Sequence, residues 1–140
     1  MSRLLIIPLM ILFAVSPLRA QQGGQNATAQ SDCEVYAAAF VARPPHGIMI
    51  SGLPGADCNW KSLGVEIEVA AVLPDPTKNA LILSLSRPTY SSDGSRASFM
   101  QAGFRHSNPP SALGGSTFIC TDEKRGGRWK FVGIRLWAVS

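Results

Sequence analysis

Three cysteines, at positions 33, 58 and 120, are the residues whose chemistry depends most on the compartment in which the chain folds. In an oxidising space two of them pair and one thiol is left over. Three pairings are open. Cys33 and Cys58 both fall at the ends of predicted elements, which favours a Cys33–Cys58 bridge with Cys120 free. Cys58–Cys120 is the next choice, and three reduced thiols is the remaining state. Cys120 follows Phe118 at a spacing of two, so it is expected to point inward as a small apolar residue. By loop entropy, closing about 25 residues is worth about 3 kcal/mol.

Other reactive groups are sparse. His46 and His106 are the only histidines, and neither Cys-x-x-Cys nor His-x-x-x-His occurs. No metal site and no cofactor are therefore assigned. Gly-x-Ser-x-Gly is missing, and Gly114-Gly115-Ser116 leads into a predicted strand instead of the strand-to-helix turn of a nucleophile elbow. No catalytic residue is assigned. Glu66 and Glu68 alternate on a strand and read as an exposed face. The aromatic and basic residues carry more information. Trp129 and Trp137 share strand parity, so they are expected on one face of a sheet, packed in a core or forming the floor of a ligand pocket. Arg87, Arg105 and Arg135 are expected to rim that pocket and select an acidic or polar ligand. These five residues are the candidate ligand site.

The elements that must position them are legible along the chain. Arg3 followed by apolar Leu4 to Val15, a break at Ser16-Pro17 and small Ala20 is the pattern of a cleavable secretory leader, residues 1–20. The apolar run is shorter than the roughly 20 residues a spanning helix needs. Arg3 and Arg19 leave with it, so 11 of the 13 basic residues remain against 9 acidic ones, a net of +2. That is too little for a nucleic-acid surface, which needs concentrated basic charge. The cluster Lys124, Arg125, Arg128 and Lys130 brackets a turn and reads as solvated charge. Residues 21–31 are polar and simple in composition, the signature of a flexible tether. Residues 32–140 suffice for one domain.

Ser31-Asp32-Cys33-Glu34 has capping-box spacing and predicts a helix through Ala42, stopped by Arg43-Pro44-Pro45. The period then changes to two. Strands are expected at 48–50, 65–69 with extension to 72, 81–86, 96–105, 117–121 and 129–139. Ser91-Ser92-Asp93-Gly94 and Glu123 to Gly127 are the hairpin connections, and Gly133 marks a bulge or a close backbone approach. No long crossover is evident, so the expected fold is α+β: one N-terminal helix on a curved, mostly antiparallel sheet of five or six strands. A small all-β barrel or sandwich is the alternative.

The segment Leu83-Ser84-Leu85-Ser86-Arg87-Pro88-Thr89-Tyr90-Ser91, then Asp93-Gly94, then Gly127-Arg128-Trp129-Lys130 and Trp137-Ala138-Val139-Ser140 resembles small uncharacterised secreted proteins of bacteria that end in a Gly-x-Trp-Lys strand. A helix followed by a curved sheet is also remotely similar to cystatin and NTF2-type folds. The resemblance implies a fold and a compartment, and no activity. The expected protein is a secreted or periplasmic, non-catalytic binding module for an unidentified protein or small ligand. It is expected to be a monomer or weak dimer, without nucleic acid and without a membrane once the leader is cut. Two alternatives are a small NTF2-like hydrolase or isomerase, with a perturbed acid–base residue inside its pocket, and an accessory protein docking by edge-strand addition.

Overall fold

The computed structural model describes residues 18–108 and 115–139, with side chains from Ala29 onward. Residues 1–17, most of the expected leader, and 109–114 of the loop after His106 lie outside the described residues. The helix α1 spans Leu18–Ala42. It is therefore longer than the capping box at Ser31 implies, and helical backbone runs through the stretch read as a tether. No proline interrupts residues 18–43, so no missing amide stops a helix nucleated by packing from propagating backward, even across Gly23 and Gly24. Packing itself begins where the sequence placed it. Ala29 and Gln30 are exposed, whereas Val35, Tyr36, Ala39 and Phe40 are buried on one face. Ala42 is exposed. No helix among the described residues is long and apolar enough to cross a membrane.

Seven strands follow: β1 Ile48–Ile50, β2 Glu68–Ala70, β3 Ala80–Leu85, β4 Thr89–Tyr90, β5 Arg96–His106, β6 Gly115–Arg125 and β7 Arg128–Val139. They form one sheet in the order β2-β1-β3-β5-β6-β7, with β4 beside β5 just past the end of β3. The α+β class stands, but the sheet is mixed and has one strand more than the upper expectation. β1 pairs in parallel with both β2 and β3, because the chain returns through residues 51–67 to β2 on one side of it and then through residues 71–79 to β3 on the other, each time in the same direction. That irregular crossover lacks a helical pattern, which is why a purely antiparallel sheet was expected. The strand expected at 65–69 shrinks to Glu68–Ala70, since its partner β1 is only three residues long.

The long strands hold the register. Gly126 and Gly127, both at positive φ, make the two-residue turn between β6 and β7, where such backbone costs only glycine nothing. At the other hairpin the Asp93 carboxylate accepts from the Ser91 hydroxyl and from the Ser95 amide and hydroxyl, which hold its pKa down to about 2. Tyr36, Phe40, Trp60, Leu83, Leu85 and Phe99 form the centre of the core. The Tyr36 and Phe99 rings meet edge-on at 4.9 Å, and Phe40 and Trp60 lie 5.5 Å apart. The Tyr36 hydroxyl donates to the Ser86 carbonyl at 2.8 Å, locking α1 to the end of β3. Cys33 is bonded to Cys58, stapling α1 to the crossover that supplies Trp60, and Cys120 is free and buried.

Candidate functional site

The face of the sheet turned toward α1 can be read row by row from the register. Leu81 lies opposite Arg105, and Leu83, Gly103 and Ser116 form the next row. Leu85, Gln101, Phe118 and Leu136 follow, then Phe99, Cys120 and Ile134, then Ala97, Asp122 and Phe131. Where the inward residues are large, α1 packs on them. Where they are small, a groove of about 520 Å³ remains between the C-terminal end of α1 and the sheet.

Glycine makes that space. Gly103 sits at an inward position, and its missing side chain leaves the floor open beside Leu81. A Cβ on Gly115 would strike the Gly103 carbonyl, so the two strands approach closely there. The floor and walls are Leu81, Leu83, Phe118, Phe131 and Ile134 with Gln101, Ser116 and Cys120. Arg43, His46 and Arg105 stand at the exposed end. No Asp or Glu belongs to the lining. Arg105 Nη1 donates to the Asn79 carbonyl at 3.4 Å, which steadies it at the rim. Ala39 is buried and Arg43, one helical turn on, is exposed, so the groove deepens from a charged mouth toward an apolar interior.

Cys120 lies in that interior. Its thiol donates to Gln101 Oε1 at 3.7 Å. Burial pushes its pKa up to about 11, with the Asp122 carboxylate adding and the Arg43 guanidinium opposing. The thiol therefore stays protonated and is a poor nucleophile. Arg43 is itself one of the residues that line the groove.

Asp122, two residues along β6, is fully buried, and neither carboxyl oxygen has a hydrogen-bond partner. Burial pushes its pKa up to about 7. Trp60 and Trp129 also bury indole N–H groups without a partner. Asp122 does not line the groove.

The five residues expected to form a site are not brought together. Arg105 lines the groove. Arg87 is exposed on the link between β3 and β4. Trp129 is half-buried against the core, 5.9 Å from the Tyr90 ring. Arg135 follows the inward Ile134 and so faces away, with its guanidinium 5.6 Å from the Trp137 ring. Trp137 is 60% exposed. The shared parity of Trp129 and Trp137 fails because the β6–β7 register slips twice, at Val132 and at Trp137 itself. Gly133 borders the first slip, where a bulge was expected.

Sequence reasoning missed Arg43, Gln101, Gly103 and Asp122. A signal existed for three of them: extending the alternation of Phe118 and Cys120 turns Asp122 inward, and extending that of Ala97 and Phe99 turns Gln101 and Gly103 inward. Arg43 was read only as a helix stop. No protein-family model, no curated protein and no solved structure matches the chain.

Proposed function

We propose that the protein is an exported, non-catalytic binding module whose ligand occupies the groove between α1 and the sheet. The observation that carries this is the groove's construction: an apolar interior of about 520 Å³ with a few polar groups at one end, the make-up of a small-molecule site. Its thiol is held protonated and already donates to Gln101, which suits a wall better than a nucleophile. The apolar leader pattern of residues 1–20 and the Cys33–Cys58 bond support export to a secreted or periplasmic space.

Asp122 favours the enzyme alternative, since an acid–base residue at pKa about 7 is what that reading asks for. It ranks second because the carboxyl is walled off from the groove lining. Docking by strand addition is supported by β7, a twelve-residue edge strand, and ranks third.

The test is a fluorescent apolar dye that brightens in dry pockets. It should bind the purified protein once per chain, and Gly103→Leu, which fills the floor, should abolish binding while the thermal midpoint holds. Equal binding by both proteins would remove the groove as the site.

A further inference from the structure

We infer that the ligand is a single unbranched apolar chain carrying one carboxylate, bound with its head at the mouth between Arg43 and Arg105 and its chain along the inward face of β5 and β6. This names the ligand class of the proposed groove and rests on that reading.

Charge comes first. Arg43 and His46 line the groove just before Gly47, which abuts the Leu81 carbonyl, and Leu81 pairs with Arg105, so the three basic residues share the Leu81 end, and no carboxylate in the lining offsets them. Neither arginine forms a salt bridge within the described residues. Arg105 uses one nitrogen on a neutral carbonyl and keeps donors free, and a guanidinium with free donors is matched to a carboxylate. An anion at this mouth gains two charge-assisted partners, and a cation is repelled.

Shape comes second. From Arg105 to the row of Cys120 is six residues along β5, about 20 Å at strand spacing. A volume of about 520 Å³ spread over that length is a cross-section of about 25 Å², one chain wide. Beyond the row of Gln101 and Phe118 the lining is Ile134, Phe131 and Cys120, whose thiol is already used on Gln101, so it offers dispersion contact and almost no further hydrogen bonding. The Gln101 side-chain carbonyl oxygen already accepts from the Cys120 thiol. A polar tail would lose its water without replacement, so the interior selects an apolar one.

Calorimetric titration of the purified protein tests this with four probes kept below their micelle-forming concentrations: dodecanoate, dodecyl phosphate, dodecanol and dodecyltrimethylammonium. Dodecanoate is expected to bind one per chain and about tenfold more tightly than dodecanol, the size of a charge-assisted hydrogen bond. Dodecyltrimethylammonium is expected not to bind. The double variant Arg43→Gln, Arg105→Gln should erase the advantage of dodecanoate and leave dodecanol unchanged. Gly103→Leu should abolish all binding with the thermal midpoint preserved.

If dodecanol or the cation matches dodecanoate, or the double variant leaves the ranking intact, the inference about the head is wrong while the groove still stands. Preference for dodecyl phosphate would keep the anionic mouth and overturn the carboxylate. Binding that survives Gly103→Leu, or no binding by any probe, overturns the groove itself.

Discussion

One sheet face serves two ends of the molecule differently. Toward the Asp93 turn, α1 meets Leu85, Phe99 and the Trp60 segment, and the rings of Tyr36, Phe40, Trp60 and Phe99 pack against one another. Toward His106 the same strands turn Gly103, Ser116 and Gln101 inward, α1 has stopped at Ala42, and a groove is left. β5 and β6 pair without a slip across both regions. The difference is therefore made by side-chain size and by where the helix ends, which lets binding be added without disturbing the packed end.

The largest way to break this comparison is to hollow the closed end. Phe40→Ala should cost about 4 kcal/mol, because a fully buried ring is lost into surroundings that cannot collapse. Urea denaturation measures it. A loss below about 1 kcal/mol would mean that the two ends are equally loose.

The next effect is a pH dependence centred on Asp122. In the folded protein this carboxyl keeps its proton to about pH 7, whereas the unfolded chain releases it near the ordinary value of 3.8. Between those values the folded state holds the extra proton, so stability falls as pH rises through the window, by about 4 kcal/mol for the full shift. Asp93, Asp75 and Glu123 act in the opposite sense. Their lowered pKa values remove stability only as pH falls below about 4. Denaturation at pH 5 and pH 8 isolates Asp122: the protein should be the more stable at pH 5, and Asp122→Asn should be nearly flat across that range. A wild-type protein more stable at pH 8 would show that the carboxyl is solvated or paired.

The staple comes third. Cys33→Ser should cost about 3 kcal/mol by loop entropy and loosen the crossover that carries Trp60. Thiol counting complements it. The oxidised protein should show no reactive thiol when folded and one per chain when unfolded, that of Cys120.

How much of this was legible follows from which signals are local. The helix stop, the short β1, the long hairpin strands and the Cys33–Cys58 pair rest on prolines, alternation and turn chemistry that neighbours in sequence supply. The parallel placement of β1 between β2 and β3 depends on the route of an irregular crossover, which no local pattern encodes. The two register slips in β7 displaced Arg135 and Trp137 from the face that parity assigned them, while Arg87 falls on the β3–β4 link and Trp129 packs against the core, so four of the five expected site residues lie outside the groove. Arg105 lines the groove because β5 runs without a slip. A cavity is a property of what is missing: alternation turns Gly103 inward, and no local pattern tells whether a neighbour fills the space it leaves.

The smallest effect on stability should come from the open end. Gly103→Leu should change it by no more than about 1 kcal/mol, since the new Cβ meets Leu81 Cδ1 at an ordinary 3.7 Å and glycine is itself costly in a strand.

The most direct measurement is methyl NMR on the protein titrated with dodecanoate. Leu81, Leu83 and Ile134 line the groove and should shift together and saturate at one ligand per chain, while Leu53, Val69 and Val72 on the outside stay still. Shifts confined to Leu53, Val69 and Val72, with the groove methyls unmoved, would contradict a site between helix and sheet.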